Sequence, residues 1–171
     1  MRHPPEFDRT HAALVYDFPV ASMIQALKYG HRLEVGSALG EIWLDQVLPD
    51  TMPDLLVPMP LHPARLQERG FNQALELARI ISAQCRVPLD RDACQRIRDT
   101  PPQAALPLKD RRKNLRGAFT ARTEAVRSKR IAIVDDVMTS GSSLNELAAV
   151  LKKAGADEVE CWVMARAVRT A

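Results

Sequence analysis

The sequence predicts an α/β domain built around a mainly parallel sheet, and three observations predict it. Short apolar segments alternate with longer segments of helical period, the order that puts helices between parallel strands. The run Ile131–Val134 is β-branched except for Ala132, as expected of a strand buried on both faces. Directly downstream, Leu144, Leu147, Val150 and Leu151 recur at three- and four-residue spacing, the apolar stripe of a helix. A length of 171 residues with 46% hydrophobic side chains suffices for one sizeable core. No internal repeat or linker divides it, so residues 1–171 read as a single domain.

Residues 1–11 read as a lead-in and Ala12–Asp17 as a short strand. Pro19 suits a helix N-terminus, and Val20, Met23, Ile24 and Leu27 form an apolar stripe that ends near Gly30. A second helical pattern runs from Leu33 to Leu48. Both helices are expected to cover one side or end of the core and not to hold the chemistry. Asp54–Val57 is a buried strand halted by Pro58 and Pro60. Pro58–Phe71, with Arg65, Arg69 and Gly70, then reads as a rigid exposed connection at a strand's C-terminal end, where open α/β sheets bind ligands. Phe71–Arg86 is an amphipathic helix and Ala93–Ile97 a strand. Asp99–Asn114 has three prolines and no period, a length that implies either a functional mobile segment or disorder. Gly117–Ala121 resumes a strand, Gly155 ends the helix that follows Ile131–Leu144, and Val159–Ala165 is the last strand.

Charge and cysteine content narrow the function class. From Lys109 to Arg130 nine Lys/Arg face two Asp/Glu, so this stretch carries +7 where the whole chain carries only +3. Such an excess is a solvated basic face or an anion contact. Cys85, Cys94 and Cys161 are odd in number and lack C-x-x-C spacing, which suits small buried hydrophobes in a reducing compartment. No apolar run is long enough to cross a bilayer, and the first residues have no apolar signal core, so no membrane contact and a cytoplasmic location are expected. His31 and His62 have no ligand-spaced partner and read as surface or capping residues.

Chemistry concentrates in Ile131–Leu144, IAIVDDVMTSGSSL. The predicted strand is followed by Asp135 and Asp136, then by a loop of Thr139, Ser140, Gly141, Ser142 and Ser143, with the helix starting at Ser142 or Ser143. Loop amides and the positive helix end suit a phosphate. Carboxylates would repel that phosphate, but they accept hydrogen bonds from sugar hydroxyls or hold a divalent cation. A ribose carrying a phosphate answers to both halves. A simple capped helix needs one short polar side chain, not two carboxylates and four hydroxyls. Neither the GxxxxGK[ST] loop nor a GxGxxG fingerprint occurs.

IAIVDDVMTSGSSL resembles the phosphoribosyl pyrophosphate-binding motif of the type I phosphoribosyltransferases. The resemblance implies that Asp135 and Asp136 hold the ribose hydroxyls, directly or through Mg²⁺, and that Thr139, Ser140, Gly141, Ser142 and Ser143 wrap the 5′-phosphate. LKYGHR around Lys28, VPMPLHPARLQERGFNQ from Val57 and RRKNLRGAF from Arg111 are similar to segments of the ComF/GntX branch, a competence-associated group of predicted phosphoribosyltransferases. Members of that branch usually carry a four-cysteine zinc ribbon ahead of the matched region. This chain has none, so no zinc site is expected. The implied architecture is the type I phosphoribosyltransferase fold, with residues 1–50 as a small N-terminal hood and helical lead-in and 51–171 as the core.

The resemblance also implies a reaction. Arg65 and Arg69 would steady pyrophosphate, which the family binds in the loop after its first core strand; ordinary surface arginines are the alternative. Arg111, Arg112 and Lys113 follow the long segment where the family has a loop that closes over the reacting centre; a solvated basic patch or a nucleic-acid contact is the alternative. Relatives acting on 6-oxopurines have an aspartate as general base where this chain has Thr139, which cannot take up a proton at neutral pH. Hypoxanthine and guanine are therefore disfavoured, and no catalytic base is assigned. The expected activity is transfer of the phosphoribosyl group from phosphoribosyl pyrophosphate to an unidentified nitrogen acceptor, with Mg²⁺, in nucleotide or nucleoside metabolism. The rival is a non-catalytic DNA-uptake protein that keeps the site for ligand sensing or single-stranded DNA contact. Aromatic residues make up only 5% of the chain, and Phe119 alone lies in the basic stretch, so a base-stacking platform is poorly supplied. A homodimer is compatible with the resemblance.

Overall fold

The computed structural model describes residues 4–30, 33–47, 49, 51–100 and 114–168. Its central sheet has four parallel strands: β1 (Arg9–Val15) at one edge, then β6 (Glu158–Arg166), β5 (Arg130–Met138) and β2 (Leu55–Pro58). Two short strands, β3 (Cys94–Arg96) and β4 (Phe119–Ala121), pair antiparallel as a separate ribbon. The helices are α1 (Val20–Gly30), α2 (Leu33–Val47), α3 (Pro63–Arg69), α4 (Gln73–Cys85), the single turn α5 (Thr123–Val126) and α6 (Ser142–Lys153). A central parallel sheet flanked by helices is the predicted class.

The sheet is buried on both faces because successive strand residues point to opposite sides. Ile131, Ile133, Cys161 and Val163 pack with Leu144, Leu147 and Leu151 of α6 and with Phe119 of the ribbon. The intervening Ala132, Val134, Trp162 and Met164 pack beneath α1, α2 and α4, against Ile24, Leu27, Leu39, Trp43, Leu77 and Ile81. Full burial of each such large side chain contributes about 1.5–3 kcal/mol. Trp43 and Trp162 lie with ring centroids 4.6 Å apart, locking α2 onto β6. At the opposite end from the loop motif, Asp54 accepts the Arg130 backbone N–H at 2.8 Å and its guanidinium at 3.2 Å, which sets β2 beside β5.

Three features differ from the sequence expectation. β1 begins at Arg9, inside the stretch read as lead-in, and pairs with β6 through Arg9↔Glu160 and Thr10↔Cys161. Asp8 anchors that start, donating its N–H to Val159 and accepting the Val159 N–H on its carboxylate, both at 2.8 Å. Residues 9–15 are therefore a sheet edge, while α1 and α2 cover one face as expected, though α1 also brings Lys28 to the acidic pair, against the expectation that it stays clear of the chemistry. Second, the Pro58–Phe71 connection contains helix α3. Pro63 stands at its start, where a missing N–H is harmless, His62 caps it by accepting the Ala64 N–H at 3.3 Å, and Gly70 closes it at φ 81°. Third, β5 continues past Val134 to Met138, because β6 supplies partners for Asp135, Val137 and Met138 in Val163, Ala165 and Arg166. The acidic pair is thus part of the strand. Of the basic side chains expected to close over the site, Arg111, Arg112 and Lys113 lie outside the described residues, as does His31. No helix among the described residues is long and apolar enough to cross a membrane.

Candidate functional site

Parallel register brings the ligand-facing strand ends together. Pro58 stands opposite Val134, and the Met59 N–H donates to the Val134 carbonyl at 2.9 Å, so the proline turn leaves the sheet beside the acidic pair. After β5 the chain turns through Thr139–Gly141 into α6. Gly141 sits at φ 72°, a conformation glycine adopts without strain, and its carbonyl accepts the Asn145 N–H at 2.8 Å. The N-cap residue Gly141 offers no side chain, and the Ser142 N–H reaches only the Ser140 hydroxyl at 3.4 Å, so the positive end of α6 stays largely open to an anion. The Ser140 and Ser142 hydroxyls lie 2.9 Å apart. Asp135, Thr139, Ser140, Gly141, Ser142 and Ser143 together line one cavity of about 40 Å³.

The two carboxylates have different surroundings. Asp135 lines the loop cavity, whereas Asp136 is 3% exposed and is absent from that lining. Asp136 instead meets Lys28 of α1, with Nζ 2.6 Å from Oδ2. Burial alone would push the Lys28 ammonium down, but the Asp136 carboxylate holds its pKa above the ordinary lysine value. Burial, and then the neighbouring Asp136 charge, push the Asp135 carboxyl well above the usual carboxylate range, with Lys28 acting in the opposite direction. The Asp136 N–H donates to Asp135 Oδ1 at 2.9 Å, fixing one oxygen of that carboxylate. Lys28 is a site residue that helix periodicity alone placed only on a covering element; its sole sequence signal is the LKYGHR segment.

The expected pyrophosphate arginines are only partly gathered here. Arg65 lies on α3 and pairs with Glu68 at 2.8 Å, and Arg69 donates to Gln73 Oε1 at 2.7 Å. Arg96, at the end of β3, is a cation the sequence pattern passed over as part of a strand. Burial pushes its pKa down, and the charges of Asp99, Arg65 and Asp135 act on it as well. Its guanidinium lies 5.8 Å from the Phe119 ring centroid and donates to the Thr100 hydroxyl, while its Nε is buried without a partner among the described residues. A cleft of about 670 Å³ opens between α3, α4 and β3, with Pro60, Leu66, Phe71, Leu75, Arg96 and Ile97 in its lining. No three metal-ligating side chains gather among the described residues. The donor set fits a divalent cation carried by a ligand's own phosphate oxygens and completed by Asp135.

Comparison with known proteins identifies the family. Residues 69–170 match the family model described as a phosphoribosyl transferase domain. Competence protein F of Haemophilus influenzae is 31% identical over 176 residues, covering 98% of this chain and 76% of that protein. The DNA utilization protein YhgH of Escherichia coli K12 is 34% identical over 172 residues, covering 97% of this chain and 75% of the relative. Among solved structures, the glutamine phosphoribosylpyrophosphate amidotransferase of B. subtilis is similar at TM-score 0.49 and 19% identity, over 78% of this chain and 26% of that one. The chain belongs to the phosphoribosyl transferase domain family, in the branch of competence protein F.

Proposed function

We propose that this protein binds phosphoribosyl pyrophosphate with Mg²⁺ and transfers the phosphoribosyl group to a nitrogen acceptor. One observation carries the reading: Asp135 and the hydroxyl loop 139–143 line a single cavity at the open N-terminal end of α6. The loop amides and hydroxyls would take the 5′-phosphate, and Asp135 the ribose hydroxyls. In the reaction the acceptor nitrogen forms a bond to C1, the C1–oxygen bond breaks, and pyrophosphate leaves with that electron pair. The acceptor's proton passes to solvent or to the departing pyrophosphate, since Thr139 cannot take it. Mg²⁺, when bound, would neutralise charge on the departing pyrophosphate. Among the described residues, Arg96, whose charge interacts with those of Arg65 and Asp135, is a cation that would be available to that group. The buried free thiols of Cys94 and Cys161 suit a cytoplasmic setting.

Calorimetric titration with phosphoribosyl pyrophosphate and Mg²⁺ tests the donor site. Binding that disappears in Asp135→Asn and in Ser142→Ala/Ser143→Ala supports it, and absence of binding to the native chain sinks it. A screen of nucleobases and amines for pyrophosphate release then identifies the acceptor.

A second reading, contact with single-stranded DNA, is favoured by the names of the relatives, competence protein F and DNA utilization protein. Several cations of the basic stretch are already engaged, however. Arg122 pairs with Asp90 at 2.6 Å, Arg130 with Asp54 at 3.2 Å, and Lys129 donates to the Ala125 carbonyl at 2.7 Å. A salt-dependent shift of labelled oligonucleotide that is lost in Arg111→Ala/Arg112→Ala/Lys113→Ala would favour DNA contact; no shift at low salt removes it.

A further inference from the structure

We propose that Lys28 is a built-in counter-ion that takes the place of a metal at Asp136, so that Asp136 positions helix α1 and Asp135 alone offers a carboxylate to a divalent cation. This deepens the proposed donor site and rests on it for the ligand, though not for the metal.

The geometry is specific. Asp135 and Asp136 are consecutive on β5, and their carboxyl groups stay within hydrogen-bonding reach of each other, but of the two only Asp135 lines the loop cavity. Asp136 goes to the face covered by α1, where Ile24 and Leu27 pack against Val134 and Trp162, and where Lys28 reaches it at 2.6 Å. Both partners are sheltered, with the Asp136 side chain 4% and the Lys28 side chain 22% exposed. An ammonium that close sets a positive charge against the oxygen a cation would need, although its angle of approach is not that of a hydrogen bond. Mg²⁺ demands oxygen ligands at about 2.0–2.1 Å in octahedral array, and a second cation beside Nζ would meet strong repulsion in so poorly solvated a place. With Lys28 in position, Asp136 is therefore filled.

Two consequences follow for the ligand. The charge of Asp136 is neutralised without metal, which lowers the repulsion that the acidic pair exerts on an incoming polyphosphate. Because Lys28 is near the end of α1, ligand recognition also becomes sensitive to how α1 lies on the sheet, and the ammonium has further donors for a ribose or phosphate oxygen. Lys28 is thus a positioning residue for Asp136 as well as a candidate contact.

The test is calorimetry on the full chain in three titrations: MgCl₂ into ligand-free protein, phosphoribosyl pyrophosphate in EDTA, and phosphoribosyl pyrophosphate at saturating Mg²⁺. The native chain is expected to show no Mg²⁺ binding without ligand. Lys28→Met is expected to gain a Mg²⁺ site and to lose about tenfold or more in donor affinity in EDTA, the size of effect seen when a partner of a ligating group is removed. Saturating Mg²⁺ should return much of that loss, and Lys28→Arg should behave as the native chain does. Lys28→Met indistinguishable from native in both the Mg²⁺ and the EDTA titrations overturns the proposal, as does Mg²⁺ binding by the native ligand-free chain. Should Lys28→Met not fold, Lys28→Met/Asp136→Asn removes both charges. It is expected to lose donor affinity in EDTA without gaining a Mg²⁺ site, and a gained site overturns the proposal. If the native chain binds Mg²⁺-free and Mg²⁺-loaded donor alike not at all, the donor reading fails, and the Mg²⁺ titrations of native chain and variant still decide the role of Lys28.

Discussion

Asp136 lies 2.6 Å from Lys28 and beneath α1, while its neighbour Asp135, whose carboxyl stays within hydrogen-bonding reach of Asp136, lines the cavity of the hydroxyl loop. Two residues that look equivalent in the sequence are therefore expected to answer differently to the same substitution. Asp136→Asn leaves the sheltered Lys28 ammonium without its partner and should destabilise the fold by about 3 kcal/mol. Asp135→Asn should leave stability unchanged or slightly raised and should abolish donor binding. Urea unfolding followed by circular dichroism, beside calorimetry, separates the two effects. Equal stability losses in both variants would contradict the different roles.

The pH dependence has a definite sign. Burial, and then the charge of Asp136, raise the Asp135 pKa in the folded protein, so the folded chain holds this proton more tightly than the unfolded chain does. The group therefore favours folding while it is protonated. That contribution fades as pH rises from its unfolded pKa, about 3.9, through its higher folded value, and above that it remains a constant penalty. Native protein minus Asp135→Asn, compared in unfolding free energy across mildly acidic to neutral pH, should show the native chain losing ground as pH rises. The opposite slope would place the shift on another group.

Gly141→Ala tests the loop's backbone. An added Cβ would meet nothing nearer than the Met138 side chain at 3.7 Å, so space is available. The φ of 72° is the obstacle, and holding an L-residue there costs about 1–2 kcal/mol. Thermal unfolding should show a loss of that size, with phosphate-dependent stabilisation reduced because the loop relaxes away from the geometry that presents its amides. Unchanged stability would mean that the loop is not held in this conformation.

Gly40→Ala tests how α2 lies on α4. A Cβ at position 40 would come within 2.8 Å of Ile80 Cγ2, so the two helices approach more closely than any side chain there allows. The substitution should destabilise by about 1–3 kcal/mol. Adding Ile80→Ala removes the obstructing methyl and should recover part of the loss, which a double-mutant cycle by denaturant unfolding measures directly.

Much of this protein is determined by local pattern. The β-branched run before Asp135 specifies a strand buried on both faces, the stripe from Leu144 to Leu151 specifies α6, and Gly141 with its flanking hydroxyls specifies the turn between them. Each depends on residues within a few positions of one another, which is why the loop and the parallel α/β class were legible without coordinates. Proline spacing misled over Pro58–Phe71, because a proline at a helix's first position starts a helix and does not break it. Tertiary structure alone decided three things. It made residues 9–15 the edge of the sheet, since pairing with β6 depends on a strand from the far end of the chain. It brought Arg96 into the cleft lined by α3 and α4, through a ribbon whose partner strand lies beyond a long intervening segment. It also gave Asp135 and Asp136 different partners. The sequence shows two adjacent carboxylates, but only the packing of α1 on the sheet puts Lys28 against one of them.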